Sequence, residues 1–217
     1  MVIYLASATD MHDKCPEAYR FGMSGTTWRL FCCAVDLFAD NDYSSISMRD
    51  IASMVGIKAA SIYNHFDSKE DLLNRMIDFA GYYGEFFNKP LEELMNTIET
   101  CPPREFLFNM HAYYPSEVQP IMSRLLLICY NEMRRNERAD AVIRWLIMNR
   151  PRTYITAVLQ RMVELGRIEP MDIDAFAEIY VNNYYGAAMR MHSSHPVEDP
   201  LWVRSYEMLF HLITPTQ

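Results

Sequence analysis

Turn-forming residues punctuate the chain at intervals, and between them apolar positions recur with a period near 3.6. Phe31, Ala34, Val35 and Phe38 fall at i, i+3, i+4 and i+7, so they share one buried face of a first helix that ends at Asn41-Asp42-Tyr43. Ser47 then suits the cap of a second helix. Its hydroxyl can accept from the amide of Asp50, whose carboxylate favours the positive helix end. Met48, Ile51, Ala52 and Val55 line the inner face of that helix, and Gly56 supplies a left-handed turn out of it. A third helix follows at once. It turns Ile57, Ile62 and Phe66 inward and leaves Lys58, Ala59, Ala60, Ser61, Tyr63, Asn64 and His65 outward, with two more rings than a merely solvated face needs. Ser68 caps the next helix.

Further breaks at Gly22 to Gly25, Asp67-Ser68, Cys101-Pro102-Pro103, Tyr114-Pro115, Gly166, Pro170 and His195 to Pro200 divide the chain into about nine or ten helices. Strand-like alternation is hard to find. The expected fold is all-α: a three-helix domain with a helix-turn-helix over 24–84 and a larger helical domain over 85–217, with 1–23 a leader of unassigned role.

Composition agrees with a globular chain: half of the 217 residues are hydrophobic and only seven are glycine. The longest purely apolar run, Leu125 to Cys129, is too short to cross a bilayer, and the opening Met1-Val2-Ile3-Tyr4-Leu5 lacks the basic leader of a secretory signal. A cytoplasmic location without a membrane partner is expected. The five cysteines, odd in number and without metal spacing, suit buried thiols and no metal site. Charge complicates the picture. The chain carries a formal −8, and between Ser24 and Gly84 the cations Arg29, Arg49, Lys58, Lys69 and Arg75 are outnumbered by Asp36, Asp40, Asp42, Asp50, Asp67, Glu70, Asp71 and Asp78. A diffuse basic patch is absent, although Arg49, Lys58 and Lys69 outnumber the acids of the helix-turn-helix itself.

This stretch resembles the DNA-binding domain of the TetR/AcrR family of one-component transcription regulators. The matching string runs from Ala34-Val35-Asp36-Leu37-Phe38 through Ser47-Met48-Arg49-Asp50-Ile51-Ala52, Val55-Gly56-Ile57 and Ser61-Ile62-Tyr63-Asn64-His65-Phe66 to Ser68-Lys69-Glu70-Asp71-Leu72-Leu73. The resemblance implies double-stranded operator DNA as partner, with Ser47, Tyr63, His65 and Lys69 on phosphates and Arg49, Ala59, Ala60 and Ser61 nearest base edges. Lys58 and Asn64 share that face. Donors such as a phenol, an imidazole and an ammonium grip phosphate, whereas alanines offer a base only apolar contact, so base readout should be sparse. With few cations per subunit, a modest salt slope and reliance on two subunits follow.

The larger region is expected to supply a dimer interface and a signal. Val158, Arg161, Met162 and Leu165 precede Gly166, and Asp172 or Asp174 can cap a helix bearing Tyr180, Tyr184, Ala187, Ala188 and Met191. This pair resembles the family's two penultimate helices, which build a four-helix bundle across a two-fold axis; intramolecular core is the other reading of the same residues. Sixteen methionines and dense aromatics fit an adaptable pocket for an unidentified small apolar or aromatic ligand, with Tyr83, Phe87, Phe106, Met110, His111, Tyr113, Met122, Tyr130, Met133 and Met148 as candidate lining. A helical core would use the same residues. The chain has no phosphate loop, zinc spacing, nucleophile elbow or dinucleotide turn, so neither an enzyme nor a cofactor is expected. A homodimeric, ligand-responsive repressor is the leading expectation. The alternative is a helical carrier of hydrophobic ligands, or an interaction module, with a degenerate helix-turn-helix.

Overall fold

Helix α1 (Gly25–Asp40) buries Leu30, Phe31, Cys32, Cys33, Ala34 and Val35 in succession, together with Trp28 and Phe38. A helix apolar all round needs neighbours on more than one side. The computed structural model, which describes residues 20–23, 25–86, 91–109, 119–191 and 201–213, supplies them from two parts of the chain. On one side lies α2 (Met48–Val55) and on another α6 (Gln119–Glu132), while α3 (Lys69–Phe86) packs against α1, α6 and α7 (Glu137–Ile143). No strand occurs among the described residues, as the all-α expectation requires.

The described helices gather into two compact units, the first holding α1–α3, α6 and α7. The second holds α4 (Leu91–Thr97), α5 (Pro103–Asn109), a π-helical stretch at Arg144–Asn149, α8 (Arg150–Glu164), α9 (Ile173–Met191) and α10 (Leu201–Phe210). Spatial grouping therefore departs from the 84/85 division read along the sequence, because α6 and α7 join the three N-terminal helices. The unbroken buried run in α1 is the signal for that second layer, and a one-face reading of Phe31, Ala34, Val35 and Phe38 passes over it.

The first unit also absorbs the end of the leader. Met23 is buried, and Phe21, at φ 52°, sets its ring 6.0 Å from Phe79, 5.4 Å from Tyr82 and 6.2 Å from Tyr83. Arg20 lies over the Trp28 ring. A turn the sequence reading lacks separates α6 from α7: the Arg135 and Asn136 amides donate to the Glu132 carbonyl, and Asn136 Oδ1 caps α7 by accepting from Arg138 and Ala139 N–H.

In the second unit Leu94, Ile98, Phe106, Leu107, Ile155, Val158, Leu159, Met162, Phe176, Tyr180 and Phe210 form one core. Gly166 (φ 63°) ends α8, with Arg167 N–H donating to the Met162 carbonyl at 2.8 Å and Gly166 N–H to Val163 at 2.9 Å. Asp172, one of the two expected caps, accepts from Ala175 N–H at 3.0 Å. The Arg167 guanidinium then reaches the carbonyls of Ile98 and Cys101 and ties the end of the α8 turn to the segment after α4.

Candidate nucleic-acid interface

The candidate interface is built from two short elements whose ends are fixed locally. At the start of α2, Ser47 Oγ accepts from Asp50 N–H (3.2 Å), while Asp50 Oδ2 accepts from both Ser47 N–H (2.8 Å) and Ser47 O–H (2.6 Å). This is a reciprocal capping box. Those hydrogen bonds hold the Asp50 carboxyl below its ordinary range, the Ser47 side chain acting most strongly, followed by the Ser47 backbone and the charges of Arg49 and Lys69. At the other end Gly56 adopts φ 78°, and the Ile57 amide donates back to the Ala52 carbonyl at 3.0 Å, closing the helix and redirecting the chain.

The element that follows is a six-residue 3-10 helix, Ala59–Asn64, where the sequence predicts an ordinary third helix. Its bonds run from Ser61 N–H to Lys58 O (2.8 Å) and from His65 N–H to Ile62 O (3.0 Å). Residues 59–64 wind with i to i+3 bonds, in a short piece as 3-10 helices usually are. Ile62 and Phe66 are buried as expected, and Ile57 is half-buried. Ser68 Oγ accepts from Asp71 N–H at 2.9 Å and starts α3.

Of the ten residues expected to meet DNA, Ser47, Arg49, Lys58, Ala60, Tyr63 and Asn64 are exposed, and Ala59 and Ser61 are half-buried. Tyr63 is 55% exposed, so its ring and hydroxyl are open to an outside partner. The other two residues differ. His65 Nδ1 lies 2.8 Å from Thr27 Oγ1 on α1, which leaves Nε2 as the ring nitrogen available to an outside partner. Lys69 faces inward: its ammonium donates to the Tyr43 carbonyl and sits 4.0 Å from the Tyr43 ring centroid and 5.7 Å from that of Phe38. Burial pulls the Lys69 pKa down, opposed by the carboxylates of Glu132 and then Asp50. In this structure Lys69 is therefore turned away from the face where the resemblance put it on phosphate. Neither Thr27 nor Tyr43 was singled out from sequence, since each lies far along the chain from its partner.

Charge is distributed differently from the plain count of acids and bases. Arg124 of α6 reaches Asp36 (3.1 Å) and Asp40 (2.8 Å), Arg138 of α7 pairs with Asp78, and Arg75 pairs with Asp71 (3.4 Å). Those acids are answered within the unit. Arg49 and Lys58 have no ion pair among the described residues and remain on the α2 and Ala59–Asn64 side.

The other expected sites divide between the units. Tyr83 and Met122 are buried in the first, with Tyr130 and Met133 half-buried there; Phe106 is buried and Met148 half-buried in the second. Phe87, Met110, His111 and Tyr113 lie outside the described residues. Val158, Met162 and Tyr180 are sealed in the protomer's own core, so those three leave no side-chain surface for a partner subunit. Leu165 is half-buried, and Arg161 pairs with Glu99 and Glu164. The side chains of Tyr184, Ala187, Ala188 and Met191 lie outside the described residues. Burial pushes the Cys33 thiol up to about 11, with Asp36 adding to it, and Cys129 up to about 12, so neither is a thiolate near neutral pH.

Residues 33–76 match the family described as bacterial regulatory proteins, tetR family. Over 86 residues the chain is 33% identical to the HTH-type transcriptional repressor KstR2 of Rhodococcus jostii, covering 40% of this chain and 41% of that protein. Over 44 residues it is 41% identical to the biofilm operon icaADBC negative regulator IcaR of Staphylococcus aureus, covering 20% and 24%. The chain thus spans less than half the length of these curated relatives. Likeness of fold extends further: the ketosteroid transcriptional regulator KstR2 of Mycobacterium tuberculosis superposes with a TM-score of 0.58 at 18% identity over 88% of this chain and 96% of that one. A TetR-family regulator from Agrobacterium tumefaciens gives 0.58 at 23% identity over 95% and 99%. Residues 33–76 thus match the helix-turn-helix region of the tetR family of bacterial regulatory proteins, and the fold is similar to that of solved regulators of that family.

Proposed function

We propose that the protein is a homodimeric transcription regulator that occupies a pseudo-palindromic operator through residues 47–66, represses from it, and leaves it when a small apolar ligand binds the larger helical region. The observation that carries this reading is the exposed row Arg49, Lys58, Tyr63 and Asn64 on two elements whose geometry is fixed by the Ser47–Asp50 box and Gly56. Tyr63 and His65 Nε2 are the phosphate donors and Arg49 the base reader, since a guanidinium can donate two parallel bonds to guanine. Repression accords with the repressors matched over this domain. Two-fold symmetry would set two such elements on successive major grooves. Ligand and operator would weaken each other's binding by the same factor.

The carrier alternative drew its support from acidity, and Arg124, Arg138 and Arg75 answer four of the acids counted against DNA binding. Gel retardation with fragments upstream of the protein's own gene, at two salt concentrations, tests the proposal. A fragment should be retarded at low salt and released by moderate salt, and Tyr63→Ala should weaken retention by about 0.5–1.5 kcal/mol per subunit without changing the dimer. Failure of every fragment at low salt would overturn it.

A further inference from the structure

We infer that Thr27, in the first turn of α1, is a positioning residue for operator binding: its hydroxyl donates to His65 Nδ1, keeps the imidazole proton on Nε2 and leaves that N–H to a phosphate. The inference rests on the DNA-binding reading of residues 47–66 and adds to it a residue outside the helix-turn-helix.

Three observations carry it. Thr27 Oγ1 lies 2.8 Å from His65 Nδ1 in a part-buried setting, across 38 residues of chain. Both ends of that bond are anchored. Thr27 adjoins Trp28 and stands just before Leu30 and Phe31, none of which has any exposure. On the other side, the His65 and Phe66 amides both donate to the Ile62 carbonyl, at 3.0 and 3.1 Å, and the Ile62 and Phe66 side chains are sealed in the core. The third observation is a second tie from the same part of α1: Arg29 Nη2 donates to the Val55 carbonyl at 3.4 Å. The start of α1 is thus bonded to the end of α2 and to the residue that closes the 3-10 helix.

The chemistry of the pair decides what Thr27 does. A neutral imidazole carries one N–H, and the partner of one nitrogen sets the role of the other. A phosphate oxygen only accepts, so Nε2 meets it as a donor or not at all. With a carbonyl or carboxylate at Nδ1, the neutral ring would keep its proton there and turn a lone pair outward. A hydroxyl can donate, which places the proton on Nε2. Should the ring take up a second proton, the same hydroxyl turns to accept from Nδ1–H, and the Nε2 donor stays where it was. Ordering the ring before DNA arrives also removes part of the cost of binding.

The test uses the full chain and whichever upstream fragment the wild type retards. Thr27→Val, which keeps the shape and removes the hydroxyl, should weaken retention by about 2- to 10-fold per subunit, and Thr27→Ser should restore most of it. In a His65→Ala background Thr27→Val should cost nothing further. An equal, additive loss there would overturn the inference, because Thr27 would then act on DNA or on the scaffold without the ring. Should Thr27→Val fail to fold, Thr27→Ala takes its place in the cycle. Nitrogen NMR of histidine-labelled protein without DNA, at about pH 8 where an ordinary imidazole is neutral, should show His65 with a bare, hydrogen-bonded Nδ1 and a protonated Nε2. The signal is identified by its loss in His65→Ala, and Thr27→Val should shift its Nδ1 resonance. A proton on Nδ1 in the wild type would overturn the inference. If the wild type retards no fragment, the proposed function fails and the positioning role falls with it; a retarded fragment held as tightly by Thr27→Val overturns the positioning role alone.

Discussion

Asp50 is engaged twice at the start of α2, by the backbone and the hydroxyl of Ser47, and both bonds require the carboxylate. Its folded pKa therefore lies below its unfolded one. A group depressed in this way stabilises the fold above its unfolded pKa and loses that contribution as pH falls through the folded value. The thermal midpoint of the wild type should accordingly decline below about pH 4 more steeply than that of Asp50→Asn, measured by circular dichroism between pH 6 and pH 3. Ser47 and Asp50 were legible in the sequence because capping acts across three residues. Lys69 was not: its oxygen partner Tyr43 lies 26 residues away, and the aromatic seat exists only once α1, the Tyr43 turn and α3 have met. Thr27 escaped notice for the same reason, being 38 residues from His65.

Between elements, the decisive residue is Gly56. A Cβ there would meet nothing within 4 Å, so the cost of a side chain is that of the left-handed backbone alone. Gly56→Ala should destabilise by about 1–2 kcal/mol, with Gly56→Asn costing less because asparagine tolerates this region. Calorimetry should show a fall of about 2–4 °C per kcal/mol. Periodicity located α1, α2 and the α8–α9 pair, since each presents an apolar stripe bounded by a cap or a left-handed glycine. It did not find the 3-10 winding of Ala59–Asn64, because the apolar positions Ile57, Ile62 and Phe66 do not determine whether a bond closes at i−3 or i−4. Nor did it distinguish Val158, Met162 and Tyr180 as internal, since an apolar stripe reads alike whether a neighbouring helix belongs to the same chain or to a partner.

Across the whole molecule, the arrangement of charge matters more than its sum. Arg124 is 14% exposed at the side chain and bridges α6 to Asp36, itself 16% exposed, whereas Arg138 and Asp78 meet in water-accessible surroundings. Arg124→Met should therefore cost about 1–3 kcal/mol, because it removes an ion pair from a largely buried setting, while Arg138→Met should cost under about 1 kcal/mol. Urea unfolding of the full chain reads both as shifts in midpoint at unchanged slope. Composition alone could not reveal this, because a count of −8 is blind to which acids face an arginine from another helix. The same pairings bear on how the protein can be cut. A fragment stopped at Phe86, the end of α3, would lose Arg124 and Arg138 and uncover the faces of α1 and α3 that α6 and α7 occupy. Such a piece would lose the Arg124 and Arg138 ion pairs beside bare apolar surface, and its behaviour with DNA would report on a damaged scaffold instead of the reader it was cut to isolate.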